Sequence, residues 1–315
     1  MKILLTGATG FIGKALLEGL LKRNNKVIAA VRRTVFNLPD DVLQIKINDL
    51  FELENIQAIK DVDTIIHCAG RAHILHDNVT DPIVEFRKIN TTGTLNLAKQ
   101  AVAAGVKRFV FLSSIGVNGC STTKPFTEKD TPFPVQDYAI SKLEAEKGLQ
   151  KIALSSGMEV VIIRPPLVYG QNAPGNFSRL MKWMNLNIPL PLGVINNKRS
   201  FVALDNLVDL IITCSEHPAA ANQIFLVSDG VDLSTTELLN RISLSFGRKS
   251  RLFTVNQKVL EFFLRLLGKK DLAQQLCGSL QIDISKAKKL LNWSPPVSVD
   301  DGLKKVTQHF LKTKS

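Results

Sequence analysis

The sequence predicts an α/β protein, a doubly wound parallel sheet carrying a smaller, discontinuous α/β domain. Three observations predict it. Short apolar runs alternate with longer amphipathic segments along the first half of the chain, the texture of strand–helix–strand crossovers. A glycine-rich stretch, Thr6-Gly7-Ala8-Thr9-Gly10-Phe11-Ile12-Gly13, joins the first apolar run to the first amphipathic segment. After Arg164-Pro165-Pro166 the alternation stops, and residues 172–192 are rich in Pro, Gly and Asn.

In chain order, Ile3–Leu5 reads as a buried strand, followed by a helix from about Phe11 to Lys22. Val27–Val31 and Leu43–Ile47 are the second and third strands, and Thr64–His67, after the Asp61-Val62-Asp63 turn, is the fourth. A long helix covers Val84–Ala104 and stops at Gly105, a residue suited to a helix C-terminus. Arg108–Leu112 is a strand, Ser141–Ser155 a helix, and Val160–Ile163 and Ile224–Val227 further strands. Residues 1–165 and 197–230 are assigned to the sheet domain, and 166–196 with 231–315 to the second domain.

Composition narrows the function. Of 315 residues, 45% are hydrophobic and 22% charged, enough for a sizeable core. Lys and Arg number 40 against 28 Asp and Glu, a net charge of +12. Such an excess suits nucleic acid, an anionic membrane surface or phosphorylated ligands. The basic residues are spread, with small clusters at 248–251, 269–270 and 286–289, and no aromatics interleave them. Nucleic-acid binding is therefore not expected, and a solvated basic surface is. Cys68, Cys120, Cys214 and Cys277 lack metal-ligand spacing and read as reduced packing residues of a cytoplasmic protein. The N-terminal apolar run ends at Thr6-Gly7, too early for a signal peptide, and no run approaches the ~18 apolar residues of a membrane span. Val259–Leu267 is apolar but holds Glu261 and Arg265; it reads as a helix packed on the protein, with contact to a membrane surface as the alternative.

Three signals carry chemistry. The glycine turn lets backbone approach a pyrophosphate, and the helix that follows supplies amide donors and a positive dipole end. Its glycines are three apart, unlike the usual G-x-G-x-x-G. Tyr138 and Lys142 lie one helical turn apart and share a face. An ammonium there and an oxidised nicotinamide both favour the phenolate, so Tyr138 can serve as a general acid/base; a surface Tyr and Lys is the plain alternative. Ser113-Ser114 ends the strand Arg108–Leu112, where open parallel sheets bind ligands; a turn-capping serine is the alternative there.

With His67-Cys68-Ala69-Gly70, Asn90, Arg164-Pro165-Pro166-Leu167-Val168-Tyr169-Gly170 and Arg199-Ser200-Phe201-Val202, these signals resemble the extended short-chain dehydrogenases/reductases that include the UDP-glucose 4-epimerases, the NAD-dependent epimerase/dehydratase enzymes. The resemblance runs from Met1 to about Leu303. It implies a Rossmann-type fold with a nucleotide-sugar-binding second domain, an NAD(P) cofactor, a UDP-sugar substrate and a homodimer. Residue by residue it implies catalytic roles for Ser114, Tyr138 and Lys142. The implied cofactor set is Gly7, Gly10, Phe11, Ile12, Gly13, Arg32, Asp49 at the adenine amine with Leu50 beside it, Ala69, Gly70, Asn90, Tyr138, Lys142 at the nicotinamide ribose, and Pro165. Asn176 and Arg199 match positions that hold the nucleotide diphosphate, and Leu192 a position beside uracil. Asp49 can instead cap a turn, and Arg199 can instead join an ion pair between domains.

Departures from the pattern refine the reading. Val117-Asn118-Gly119 stands where V-Y-G is frequent, which tunes the substrate pocket. Ser114 is followed by Ile115-Gly116 rather than by two acids, which argues against a 4,6-dehydratase. Arg32-Arg33 stands where an acid would grip the ribose 2′-hydroxyl; arginine suits a 2′-phosphate and tilts the expectation toward NADP(H). Arg199–Leu210 and Cys277–Leu291 look closest to enzymes of bacterial surface-polysaccharide (O-antigen) synthesis. The expected activity is accordingly 4-keto reduction giving a UDP-6-deoxy-N-acetylhexosamine, with a UDP-glucose or UDP-N-acetylglucosamine 4-epimerase as the alternative. A non-catalytic, cofactor-sensing regulator is disfavoured because Ser114, Tyr138 and Lys142 are all kept.

Overall fold

The structure, a computed structural model, describes residues 1–72 and 81–313. Residues 73–80 of the expected first domain and 314–315 of the second lie outside the described residues. Seven parallel strands form the main sheet: β1 (Lys2–Thr6), β2 (Lys26–Val31), β3 (Leu43–Lys46), β4 (Thr64–His67), β5 (Arg108–Leu112), β6 (Glu159–Arg164) and β9 (Ile224–Leu226). Their order is β3-β2-β1-β4-β5-β6-β9, with Ile3 opposite both Val27 and Thr64. The order reverses between β1 and β4, and a crevice at the carboxyl ends of those strands is where such sheets bind ligands.

Both faces of the sheet are covered except at the edge strand β3, which explains why the other strands are near-continuous apolar runs. Ile3 and Leu5 pack with α1 (Phe11–Lys22) and α6 (Leu204–Glu216) in one core layer. Leu4, one residue out of phase, joins the opposite layer, built on α3 (Thr94–Ala103) and α4 (Asp137–Ser156). Gly19 lets α1 approach α6, since a Cβ there would sit 2.9 Å from Val208 Cγ1.

The second domain pairs a three-stranded sheet, β10 (Asp232–Leu233), β8 (Arg199–Ala203) and β7 (Leu167–Tyr169), with α5 (Asn176–Asn185), α7 (Thr235–Ser245) and α11 (Val299–Lys312). The expected return to the main sheet over 197–230 is thus made by α6 and β9, whereas β8 belongs to the small sheet. Sequence periodicity could not assign it, because a buried strand reads alike in either sheet.

Three other elements differ from expectation. The helix expected over Val84–Ala104 is α2 (Pro82–Phe86), a π-helical turn (Arg87–Gly93) and α3, ending with Gly105 at φ +78°. α4 begins at Asp137 rather than Ser141, with that acid in the first turn against the helix dipole, so Tyr138 is helical. The helix expected to pack at Val259–Leu267 forms as α8 (Gln257–Leu266), yet none of its residues is buried. α9 (Lys270–Cys277) and α10 (Ser285–Leu291) lie between α8 and α11. The four cysteines are unpaired as expected, but Cys120 is exposed rather than a packing residue.

Candidate active site

The site grows from the turn after β1. Gly7 adopts φ +74°, and a Cβ on it would meet Ala69 N at 2.8 Å. A Cβ on Gly13 would lie 1.9 Å from Gly7 O, so α1 can start against the turn only with glycine there. Gly10 N donates to Gly7 O at 2.9 Å and caps α1, leaving Phe11 and Ile12 as its first residues. Backbone amides at a helix start, with no side chain in front of them, fit a pyrophosphate.

The turn after β4 forms the facing wall. His67 is fully buried, with Nδ1 2.7 Å from Thr6 Oγ1 and Nε2 3.0 Å from Thr94 Oγ1. Burial and then the Lys142 charge push its pKa down to about 3, so it is a neutral strut. Thr6 Oγ1 also accepts from Ala69 N, which fixes the backbone entering Gly70. A Cβ on Gly70 would lie 3.0 Å from Asn90 Oδ1 and 3.4 Å from Lys142 Nζ. The π-helical turn aims Asn90 inward: its Oδ1 accepts from Arg71 N, and its Nδ2 donates to Arg71 O and Ser141 Oγ. That single residue ties the β4 loop to α4.

Ser114 ends the extended run of β5, with Oγ accepting from Gly116 N at 3.1 Å. A Cβ on Gly116 would lie 3.3 Å from Ser114 Oγ and 3.2 Å from the Ala139 side chain, so the serine hydroxyl adjoins the first turn of α4. Tyr138 stands on that turn, its ring 6.1 Å from Phe86 in an edge-to-face contact. Lys142, one turn on, is buried, donates to Leu112 O at 2.9 Å and sits 4.4 Å over the Phe111 ring. Burial lowers its pKa to about 8, while Cys68 and Glu146 oppose the fall. Burial raises the Tyr138 phenol to about 12, although part of the residue stays accessible. Lys142 donates to Leu112 O, and burial is the cause that raises the Tyr138 phenol in the protein alone.

Beneath these residues lies a network that sequence reading missed. Glu146, one turn beyond Lys142, accepts from Ser113 Oγ at 2.5 Å, from Arg164 Nε at 3.0 Å and from Arg164 Nη2 at 2.5 Å. Arg164 Nη1 donates to Asn118 Oδ1 at 2.9 Å. All four side chains are buried. Asn118, in the departing Val117-Asn118-Gly119 stretch, thus serves as an acceptor for Arg164 and also borders a pocket of about 340 Å³ with Cys120 and Phe126. The available signal was the spacing Tyr138, Lys142, Glu146, three positions on one helix face. Pro165, next to Arg164, holds Ile115 N through its carbonyl at 2.9 Å.

The remaining expected residues fall in two places. Arg32 and Asp49 pair with each other at 3.0 Å, both largely exposed, and Leu50 N donates to Asn48 Oδ1 in the adjoining turn. An exposed pair of this kind is worth about 0–1 kcal/mol, so either partner can be exchanged for a ligand. Arg199 donates to Gly278 O at 2.9 Å and to Gln274 O at 3.4 Å, and burial lowers its pKa. Its contacts are carbonyls, not the ion pair considered as its alternative. Asn176 opens α5 and donates to Gln275 Oε1 at 2.5 Å. Leu192 is buried in the second domain's core, and its carbonyl accepts from Thr236 Oγ1. The 274–278 segment therefore bridges Asn176 and Arg199, far apart in sequence. Tyr169 donates to Asp229 Oδ2 at 2.8 Å and is a buried structural residue.

Comparison with known proteins identifies the arrangement. Residues 3–228 match the model of the NAD dependent epimerase/dehydratase family. The chain belongs to that family. It is 44% identical to a UDP-glucose 4-epimerase of Vibrio cholerae, covering 98% of this chain and 95% of that one. A dTDP-4-dehydro-6-deoxyglucose reductase of Escherichia coli is 25% identical, with 96% of each covered. A solved UDP-glucuronic acid 4-epimerase from Bacillus cereus, in complex with NAD, superposes with TM-score 0.81 at 21% identity over 100% of both chains. The protein is thus an enzyme of the extended short-chain dehydrogenase/reductase type with a Rossmann-type fold. These likenesses reverse the order of the two activities expected from sequence: the epimerase is better supported than the reductase, whose relative is distant. The family is NAD-dependent, and the cradle of Gly7, Gly13, Gly70 and Asn90 fits a dinucleotide. No described helix is long and apolar enough to cross a membrane.

Proposed function

We propose that the protein is a UDP-hexose 4-epimerase. The observation that carries this is the cluster of Ser114, Tyr138 and Lys142 beside Gly70 and Asn90, at the carboxyl ends of β4 and β5. The Vibrio relative supports carbon 4 of a UDP-hexose as the reacting centre. NAD, held by the turn Gly7–Gly13 with Asp49, Leu50, Ala69 and Gly70, would supply a reversible hydride acceptor.

The chain's own groups do the rest. Ser114 Oγ hydrogen-bonds the carbon-4 oxygen and orients it. Tyr138 exchanges a proton with that oxygen as general acid/base. Burial raises the phenol to about 12, and the positive charges of Lys142, one helical turn away, and of a bound oxidised nicotinamide would both favour its ionised form. Asn118, Cys120 and Phe126 border the sugar, and Arg199 with Asn176 holds the diphosphate.

The test is sugar-nucleotide analysis after incubation with UDP-glucose or UDP-N-acetylglucosamine and NAD. The expected result is interconversion with the 4-epimer and no net change in absorbance of reduced cofactor. Stoichiometric NADPH oxidation with a 4-keto-6-deoxy sugar nucleotide, and no epimerisation, would replace the epimerase reading with the reductase.

A further inference from the structure

Helix α8 carries its apolar stripe on the outside. Leu260 and Leu264 are half-buried, and Leu260 packs on the second domain's core and holds the helix to it. Val259, Phe262, Phe263 and Leu266, spaced three, four and seven residues from the first, are exposed. Phe262 is 63% exposed, Phe263 55%, Leu266 70% and the adjoining Leu267 66%. The two phenyl rings touch edge to face at 5.8 Å, so the patch is contiguous, and Phe253 adds a third exposed ring from the preceding segment. Scattered exposed apolar side chains are ordinary, whereas a contiguous stripe on one helix marks a docking surface.

The rim of the patch is cationic. Arg251, Lys258, Arg265, Lys269 and Lys270 are exposed on α8 and the segments next to it in the chain, and within residues 251–271 Asp271 is the one exposed acid. Glu261 is turned inward, accepting from Gln257 Nε2 and lying 3.6 Å from Arg265. A second copy of this chain seated on the same patch would bring one cationic rim against another. An anionic surface with an apolar interior meets both features at once.

We propose that α8 docks this enzyme on an anionic phospholipid bilayer, with the stripe at the acyl boundary and the cations among the headgroups. Docking bears on the site through backbone. Phe253 N donates to Leu190 O and Phe253 O accepts from Gly193 N, each at 3.0 Å, so the patch flanks the loop that carries Leu192. α9, which follows, supplies Gln275 to Asn176 and Gln274 O to Arg199. The membrane face therefore adjoins the side of the protein where the nucleotide would sit. The proposal stands independently of which sugar is turned over.

Vesicle flotation of the full-length protein tests it. Vesicles of equal parts phosphatidylglycerol and phosphatidylcholine should carry the protein, pure phosphatidylcholine should not, and raised salt should release it. Phe262→Ser/Phe263→Ser should lower the partition coefficient at least about tenfold. Lys269→Ala/Lys270→Ala should lower it about fivefold per cation removed. Both variants should keep the wild-type circular dichroism and soluble turnover. Equal flotation with both vesicle types, or a Phe262→Ser/Phe263→Ser variant that floats like the wild type, would overturn the proposal. It also falls if, without lipid, light scattering finds the wild type in a larger assembly that the same variant loses, because the patch is then a subunit seam.

Discussion

Glu146→Gln isolates the buried network under the catalytic residues. Glu146 and Arg164 are almost inaccessible, at 1% and 2% exposure. The carboxylate satisfies two Arg164 N–H groups and the Ser113 hydroxyl. A glutamine has one acceptor oxygen, so in either orientation its amide faces an Arg164 donor with another donor. Neutralising one member of a buried pair strands the other charge and costs about 3–5 kcal/mol. At about 2–4 °C per kcal/mol, the melting temperature should fall by about 6–20 °C, with the Asn118 bond to Arg164 keeping the loss near the lower end. The double variant Glu146→Leu/Arg164→Met removes both charges and should recover most of the loss. Thermal melts followed by circular dichroism measure both. The pH profile supplies a second reading: Glu146 supports the Lys142 ammonium, so its loss should move Lys142 further below about 8 and shift the alkaline limb of kcat/KM to lower pH. A single variant that melts within about 2 °C of the wild type, or a double variant no better than the single, would refute the reasoning.

Three further outcomes are expected. Tyr138→Phe should keep cofactor affinity by fluorescence titration while turnover falls about 10²-fold or more; near-wild-type turnover would remove Tyr138 as the acid/base. Arg199→Ala should weaken UDP binding by about 1.5–3 kcal/mol in calorimetry and leave NAD binding unchanged, and an unchanged UDP affinity would place Arg199 outside the diphosphate site. Arg32→Ala frees Asp49 from its exposed pair and should raise the Michaelis constant for NADPH more than for NADH in hydride-transfer assays; equal changes would show that Arg32 does not read the 2′-position.

Much of the site was legible because it is made of local pattern. Gly7, Gly10 and Gly13 declare a turn whose geometry excludes a Cβ at the first and last of them, and Tyr138 with Lys142 declares a shared helix face, whatever the rest of the chain does. The main-sheet strands were legible for the same reason: burial on both faces leaves uninterrupted apolar runs. NAD-dependent family membership follows from these short patterns read together.

Tertiary structure decided what depends on residues distant in sequence. β8 reads as a strand, but only pairing with β7 and β10 assigns it to the small sheet. Glu146, Arg164, Asn118 and Ser113 are four unremarkable polar residues until folding buries them together and makes them hydrogen-bond partners of one another. The spacing of Tyr138 and Lys142 gives a shared face, but only the fold hands the Lys142 ammonium Leu112 O and buries the Tyr138 phenol enough to raise it. The apolar residues of α8 carry the periodicity of a packed helix, and only the placement of Leu260 and Leu264 turns the Phe262 face outward. Sequence pattern fixes which residues share a face, because that follows from backbone geometry over a few residues. Which way the face points, and how far it is from water, depends on every element packed around it.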